Sequence, residues 1–356
     1  MANPDLIVLD HNFTLCHSAL MTDVSPGDLT IILTTSPTPS IPSTELICGV
    51  LESLPSLLAL VPLIITFDSF TICQNENYVD GRLKRGQVPA RMAEAYPDYI
   101  DKVKRLFAQD EPQPATDVRT DALVFKSHQS RDVTIIQHQR HQGFALSVKT
   151  AIRYCSTPYV MVLQHDWVFE ISPPITQLLQ ILRDEQEVNY ITFVTRYSKR
   201  YEHRMSKSNP RSRAVLDTTK GLRRGRELDS DLVACLHFFD RPHLAVVQMY
   251  RDLFDNYPGL RPGDFLEDSI GTKFSNSIRN ACTNEEAIAA WNTIRTWMYA
   301  PNRGESRGLR HTSGRTTLTG TEQKARIAAY IQENQQAKLE GREPRYRHLV
   351  DGMIDR

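Results

Sequence analysis

The segment TPYVMVLQHDWVFE, residues 157–170, combines a run of strand-forming residues with a polar ending. The apolar run 159–164 is followed directly by His165, Asp166 and Trp167. Such a run is typical of a strand buried on both faces of a parallel sheet. Ligands bind beyond the carboxyl ends of the strands in open parallel sheets, so a carboxylate there indicates a site. The simpler alternative is a strand that leaves the core through an ordinary polar turn.

Runs of the same kind recur on both sides of this segment. Four of them, rich in Ile, Val and Leu, predict strands at residues 29–35, 63–67, 133–138 and 190–196. Segments with helical periodicity lie between them, at residues 43–54 (opening with a Ser43 cap), 93–109, 144–155 and 175–188. Strands that alternate with helices predict an α/β protein with a mostly parallel sheet and helices on both faces.

The pattern changes after residue 196. Two basic segments, 199–213 and 221–226, contain few apolar residues and are predicted to be loops, either solvated surface or an anion-binding region. Farther on, the pattern predicts a strand at 232–239, a helix at 242–254 and a C-terminal helix at 322–341.

Composition excludes several classes of protein. The 42 basic and 42 acidic residues balance, so no overall field favours nucleic acid or an anionic membrane. Six cysteines without paired spacing predict a reduced protein, and Cys235, His237 and His243 do not have the spacing of a zinc site. A glutamate and two prolines interrupt the most apolar stretch, 46–67, so we expect no transmembrane segment and a soluble, cytoplasmic protein. A membrane anchor outside this sequence stays open.

Polar side chains follow four successive predicted strands. Because the carboxyl ends of parallel strands meet at one edge of a sheet, we expect these side chains to share a crevice. They are Thr34 and Thr35, then Asp68, then His138, then His165 and Asp166.

Three groups at this edge have alternative interpretations. The carboxylate of Asp68 either accepts a hydrogen bond from a nucleoside or caps a turn or helix. Gly143 opens a helix whose first turn is suited to a phosphate, with Lys149 a turn and a half further along. Asp166 either binds a divalent cation that neutralises a diphosphate, or is a solvated side chain.

Two later regions carry further candidates. In RPGDFLEDSIGTKF, residues 261–274, Glu267 and Asp268 either supply a general base or favour the start of a helix. His237 ends an apolar run and is predicted to face an acceptor cleft. His311 lies in a glycine-containing segment that could fold over the site, as a metal ligand or a phosphate contact.

Taken in order, these elements resemble the nucleotide-diphospho-sugar transferases of the GT-A fold, and most closely the family 2 glycosyltransferases. The family's Thr-containing loop after the first strand is matched by TIILTTSP, and its strand ending in Asp by IITFDS. QHQRHQGFALSVKTAI is similar to the family's RHxxNxGFxxARNxG, TPYVMVLQHDW to GEYVLFLDHDD, and LEDSIG to its Glu-Asp pair.

The resemblance implies roles for these residues. Donor-binding roles fall to Thr34, Thr35, Asp68, Gly143, Lys149, His165 and Asp166, and catalytic roles to Asp268 and Glu267. The implied metal is Mn²⁺ or Mg²⁺ on Asp166, with His311 as a further ligand, and the implied donor is a nucleotide-diphosphate sugar, pyrimidine-linked. We expect an N-terminal arm (1–28), a nucleotide-sugar-binding half (29–170), an acceptor-binding half (171–300) and a C-terminal lid segment with a helix (301–356).

The sequence departs from the family pattern at two positions. Gln164 stands where the first acid of the metal motif is expected, which either weakens the metal or shifts its coordination to His311. Trp167 replaces another acid and offers an aromatic face to a sugar. We expect an inverting transfer to a hydroxyl acceptor in glycan biosynthesis; a retaining mechanism, an inactive nucleotide- or sugar-binding module and a nucleotidyltransferase stay open.

Overall fold

The structure is a computed structural model that describes residues 28–38, 40–73, 86–107, 115–117, 119–128, 131–220, 231–312, 332 and 335–342. Its strands are β1 (Leu29–Thr35), β2 (Leu63–Phe67), β3 (Thr71–Ile72), β4 (Gln87–Val88), β5 (Ala115–Asp117), β6 (Ala122–His128), β7 (Asp132–His138), β8 (Tyr159–Gln164), β9 (Trp167–Phe169), β10 (Tyr190–Phe193), β11 (Leu232–Ala234), β12 (His243–Val246), β13 (Thr296–Tyr299) and β14 (Leu309–His311). Its helices are α1 (Glu45–Glu52), α2 (Ala90–Phe107), α3 (Gly143–Ile152), α4 (Ile175–Asp184), α5 (Tyr201–Ser208), α6 (Pro210–Lys220), α7 (Val247–Asn256), α8 (Thr272–Arg279) and α9 (Asn284–Trp291), with a π-helical turn at Glu267–Gly271.

Ten strands form one sheet in the order β11-β13-β10-β12-β8-β1-β2-β7-β6-β5. β8, β1, β2 and β7 are parallel neighbours at its centre, and β5, β10 and β13 run in the same direction. The other three strands, β6, β11 and β12, run the opposite way. The predicted α/β class with a mostly parallel sheet is therefore confirmed.

The central strands are apolar because both of their faces are covered. All residues of β1 and β2 are buried, as continuous runs of Ile and Leu require in a sheet packed on both sides. Thr34 pairs with Gln164 of β8, and Thr35 pairs with Phe67 of β2. This register ends the three strands at the same level, so the residues that follow them meet at one edge.

The basic segment 199–213 was predicted to be a loop, and this prediction was wrong. It forms α5 and the first part of α6. Tyr201, Val215 and Leu216 are buried while the basic side chains occupy the outer faces, so a few well-spaced apolar residues suffice to anchor both helices. The second basic segment, 221–226, lies outside the described residues.

Two other predictions need correction. The expected helix 242–254 begins as strand β12, because these residues pair between β8 and β10, and only then continues as α7. The expected strand 232–239 is limited to β11.

Of the predicted C-terminal helix, only 335–341 and residue 332 fall among the described residues, and 335–339 are helical. The division into domain halves stays a prediction, since strands from both halves share the sheet.

A second, two-stranded sheet shapes the functional edge. β14 pairs antiparallel with β9, and this pairing sets His311 opposite Trp167. The chain beyond residue 300 thereby returns to the end of β8. None of the helices in the described part of the chain is long and apolar enough to cross a membrane.

Candidate active site

A cavity of about 310 Å³ lies at the carboxyl ends of β1, β2 and β8. The structure brings six of the predicted donor-site residues to its walls: Thr34, Thr35, Asp68, Gly143, His165 and Asp166. Gln164 also lines it. His138, at the end of β7, lines a neighbouring cavity of about 250 Å³ instead. Three of the four predicted strand ends therefore share this cavity.

Asp68 organises the start of α3. Its Oδ1 accepts hydrogen bonds from the backbone N–H of Ser69 (2.9 Å) and of Gln142 (2.7 Å), and its Oδ2 accepts one from Gly143 (2.9 Å). The first N–H groups of a helix have no partner within the helix, so a carboxylate here satisfies them and faces the positive end of the helix dipole. The helix-capping interpretation is therefore realised, in a residue that also lines the cavity.

His141 is a neighbour of Asp68 that the sequence did not single out. Its Nδ1 lies 2.9 Å from Oδ2 of Asp68, and this hydrogen bond raises the pKa of His141. His141 also lines the cavity. The partners are 73 residues apart in the chain, so no local spacing could have indicated the pair.

Gly143 occupies a position that only glycine fits. Its φ is +75°, and a Cβ atom there would lie 2.6 Å from Cα of Gly263. We expect Gly143→Ala to lower the free energy of unfolding by about 1–3 kcal/mol, the cost of a side chain in this backbone region. Urea unfolding measures it.

Gly49 is the matched control for that substitution. It lies inside α1, and a Cβ atom added there would meet nothing within 4 Å, so Gly49→Ala should stabilise by about 0.5–1 kcal/mol. Equal effects of the two substitutions would contradict the close approach of Gly143 and Gly263.

The side chains of Asp166 and His311 are in direct contact. Oδ2 of Asp166 lies 2.9 Å from Nε2 of His311, and the backbone N–H of Thr312 donates to the Asp166 carbonyl oxygen at 2.7 Å. Burial raises the pKa of Asp166, but the hydrogen bond with His311 and the nearby His165 lower it, and the net shift is downward. The carboxylate is therefore ionised at neutral pH.

The Asp166 and His311 side chains fit a divalent cation. A carboxylate oxygen suits Mg²⁺ or Mn²⁺, and transition ions also accept imidazole nitrogen. Among the described residues, no group of three or more His, Cys, Asp or Glu side chains gathers that could hold a metal. Phosphate oxygens and water would supply the remaining ligands of such a cation, as is usual at phosphate sites.

The remaining donor-site candidates differ in their positions. The Thr34 hydroxyl donates to the Leu163 carbonyl oxygen at 3.2 Å, and the Thr35 hydroxyl lies 2.8 Å from the Tyr99 hydroxyl. His165 is buried, with Nδ1 3.3 Å from the Thr34 carbonyl oxygen.

Lys149 is not brought to the cavity. Its ammonium lies 5.7 Å from the centre of the Phe254 ring, on the side of α3 that contacts α7. Ser147 of the same helix does line the cavity. Lys149 is two residues further along, and this separation rotates its side chain by about 200° around the helix axis, to the opposite face.

Glu267 and Asp268 begin the π-helical turn that follows the cavity wall. Gly263 and Phe265 line the cavity; Glu267, two residues on, is half-buried and Asp268 is exposed. Burial raises the pKa of Glu267. Neither acid lines the cavity itself. Turns of this kind are frequent at functional sites.

The loop before these acids is fixed to α3. The Gly263 N–H donates to the Gln142 carbonyl oxygen at 2.9 Å, and the Ala145 N–H donates to the Asp264 carbonyl oxygen at 3.2 Å. The segment with Glu267 is therefore tied to the same helix start that Asp68 caps.

The two predicted substrate-binding residues lie beside the predicted acids and metal ligands. Trp167 packs its ring on His311, with centroids 4.8 Å apart. His237 places Nδ1 2.7 Å from the Ser275 hydroxyl and Nε2 3.9 Å from Oε1 of Glu267. Burial lowers the pKa of His237 to about 4, so the ring is neutral at pH 7.

Asp240 is a buried acid that the sequence did not single out. It is 5% exposed, and neither carboxylate oxygen has a hydrogen-bond partner among the described residues. Burial raises the pKa of Asp240 well above its ordinary value; nearby backbone N–H groups of Leu266 and Glu267 offset this only in part, and the charges of Glu267 and Asp268 add to it. A lone Asp after an apolar run gives no local signal of such burial.

This environment predicts how Asp240→Asn changes stability with pH. The folded chain keeps the Asp240 proton to higher pH than the unfolded chain, so wild-type stability falls as pH rises above the ordinary aspartate value of 3.8. Asn does not ionise, so the variant should gain stability relative to wild type from pH 5 to pH 8. Urea unfolding at both pH values measures this gain. A variant that loses relative stability at pH 8 would show that a charged Asp240 stabilises the fold.

A stretch of the chain from before β5 to the start of α7 matches a known family. Residues 110–247 match the model of glycosyl transferase family 2. The resemblance to family 2 is thereby confirmed over residues 110–247, and the match supports glycosyl transfer. Gly143, His165, Asp166 and His237 lie inside the family 2 region. A comparison with curated proteins found no match.

Solved structures that match parts of this chain include three proteins. Mannosyltransferase PcManGT from Pyrobaculum calidifontis, in complex with GDP-Man and Mn²⁺, is 13% identical with a TM-score of 0.35. The match covers 78% of this chain and 58% of the PcManGT chain. S. aureus TarS 1-349 shares 8% identity at 0.35, with 80% and 60% covered. HddC from Yersinia pseudotuberculosis shares 9% identity at 0.33, with 68% and 85% covered. This chain therefore spans less than two thirds of the first two.

Proposed function

We propose that the protein transfers a sugar from a nucleotide-diphosphate donor to a hydroxyl acceptor, with inversion and with a divalent cation, in the biosynthesis of a glycan. One observation carries the proposal: the Asp166 carboxylate, whose pKa is lowered, lies two residues beyond the end of the central parallel strand β8, inside the family 2 region and on the wall of a cavity. The negative charge that develops on the departing diphosphate has to be neutralised at that point. A cytoplasmic location stays a prediction from composition.

The donor occupies the cavity in this proposal. Thr34, Thr35 and Asp68 contact the nucleoside, and the first turn of α3 at Gly143 faces the diphosphate, where helix N–H groups favour anions. A pyrimidine base is the proposed preference, as the family resemblance implies; Asp68 holds the Gly143 end of α3 at the cavity wall. Lys149 has no part in it, given its position on the other face of α3.

The chemical step is a single in-line displacement. Asp268 accepts the proton of the acceptor hydroxyl as its oxygen attacks the anomeric carbon, and the bond from that carbon to the diphosphate breaks. His237 and Glu267 lie beside this point, and Trp167 offers its ring face to a sugar. A Mn²⁺ or Mg²⁺ ion on Asp166 and His311, when bound, supplies Lewis-acid stabilisation of the diphosphate. The segment 303–312, which returns to the end of β8, is the proposed means of excluding water.

An inactive nucleotide- or sugar-binding module is the competing proposal. Gln164, in place of the first motif acid, favours it. Turnover separates the two: purified protein is mixed with a panel of nucleotide sugars, Mn²⁺ and hydroxyl acceptors. Release of nucleoside diphosphate together with a glycosylated acceptor supports transfer, and NMR of the new linkage reports inversion or retention.

Other outcomes of that assay contradict the proposal. Release of pyrophosphate would indicate a nucleotidyltransferase. Binding of a donor without turnover, over the whole panel, would indicate the binding module. A parallel reaction with a chelator in place of Mn²⁺ shows whether the cation is required.

A further inference from the structure

Gln164 makes a contact that a metal ligand would not make. It ends β8 and lines the cavity, and its side-chain Nε2 donates to the backbone carbonyl oxygen of Asp240 at 3.3 Å. A carbonyl oxygen can only accept, so the nitrogen side of the amide must face Asp240. The residue in the place of the first motif acid is thus engaged as a donor.

The contact continues from Asp240 to Glu267. The Asp240 backbone N–H donates to Oε2 of Glu267 at 3.3 Å. Glu267 is the first residue of the π-helical turn, and Asp268 follows it. Two hydrogen bonds therefore link the end of the donor-site strand, through the backbone of one residue, to the proposed base region.

The residues that follow Asp240 are anchored to the sheet. The guanidinium of Arg241 is buried and donates to the hydroxyls of Thr192 (3.1 Å) and Thr195 (3.3 Å). His243, two residues further on, pairs with Val162 of β8. Residues 241–243 are anchored to the sheet, whereas the carbonyl oxygen and N–H of Asp240 bond to the side chains of Gln164 and Glu267.

We propose that Gln164 is a positioning residue that holds Glu267 and the adjacent Asp268 in place through the backbone of Asp240. This inference rests on the proposed function, because it couples the donor cavity to the base of that reaction. It assigns Gln164 a role that an acid could not fill, since a carboxylate would face the Asp240 carbonyl oxygen without a hydrogen to donate.

Two substitutions test the assignment. Gln164→Met removes the hydrogen-bond donor and keeps the length of the side chain. Gln164→Glu keeps the shape of the side chain but replaces the amide by a carboxylate. We expect each to lower kcat about 10- to 100-fold, the scale of a small misplacement of a catalytic group, with the donor KM within about twofold of wild type. Gln177→Met, at a half-buried glutamine of α4 outside the cavity wall, is the control and should leave kcat unchanged.

The opposite result would identify Gln164 as a weakened metal ligand. In that case Gln164→Glu restores an acid and raises the apparent affinity for Mn²⁺ and kcat. Unchanged kcat in both variants would equally overturn the positioning role. If Gln164→Met does not fold, Gln164→Glu is read by the same criteria.

A readout without turnover separates this inference from the proposed function. Hydrogen–deuterium exchange of the amides at Asp240 and Glu267–Gly271 should accelerate in Gln164→Met relative to wild type and to Gln177→Met. Accelerated exchange in a protein inert toward every donor would retain the link and reject the transferase. Transfer by wild type with unchanged exchange and kcat in the variants would reject the link alone.

Discussion

Replacing Asp166 by Asn is expected to lower sugar transfer by about 10²- to 10³-fold, since the proposed function assigns several kcal/mol of diphosphate stabilisation to a cation at this carboxylate. The amide keeps the size of the side chain but loses the charge that is proposed to hold Mn²⁺. Saturating Mn²⁺ should recover only part of the loss, because the amide both lowers the affinity for the cation and lacks the charge that would hold a bound cation in position. Steady-state release of nucleoside diphosphate measures it.

A control and a partner variant make that result specific. Asp132→Asn removes an exposed carboxylate at the start of β7, at the amino end of that strand and away from the cavity, and should leave turnover unchanged. His311→Gln should raise the Mn²⁺ concentration for half-maximal rate. Wild-type turnover in Asp166→Asn would contradict the proposal that a cation binds at this position.

Replacing Asp268 by Asn is expected to lower turnover by about 10²- to 10⁴-fold, the range for loss of a general base. Donor binding should stay intact, because Asp268 lies outside the cavity wall. Turnover and donor affinity are therefore measured on the same preparation. Asp255→Asn, at an exposed carboxylate of α7, is the control.

The outcome for Glu267 decides between the two acids. Glu267 is the more buried, and burial raises its pKa, which also makes it a candidate base. If Asp268 is the base, Glu267→Gln should cost less than Asp268→Asn. A larger loss in Glu267→Gln, with near-normal turnover in Asp268→Asn, would transfer the base to Glu267 and its neighbour His237.

The central strands and the cavity edge could be predicted from the sequence because burial on both faces leaves a continuous apolar signature. β1 and β2 begin and end where the pattern places them. Strands β9, β13 and β14 have three or four residues each and carry no such signature, since their partners lie far away in the chain. The helices α5 and α6 were missed because their few apolar residues are separated by basic ones.

The site was predictable where a motif residue sits at a strand end. His311 was predicted as a further metal ligand because Gln164 replaces the first motif acid, and the structure places His311 in contact with Asp166. The position of Lys149 depends on helix rotation, which the motif spacing did not resolve. The link from Gln164 to Glu267 joins residues 103 positions apart through Asp240, so only the folded chain shows it.

Binding of nucleotides with and without Mn²⁺ tests the central claim most directly. Thermal shift of wild type and Asp166→Ala is measured with a panel of nucleoside diphosphates and nucleotide sugars; a ligand at 100 times its Kd stabilises the folded protein by about 2.7 kcal/mol. We predict stabilisation of wild type by one nucleotide, dependent on Mn²⁺ and absent in Asp166→Ala. Stabilisation that survives both the removal of Mn²⁺ and the loss of Asp166 would contradict the assignment of this carboxylate to a donor-bound cation, and no stabilisation by any nucleotide would contradict the donor site.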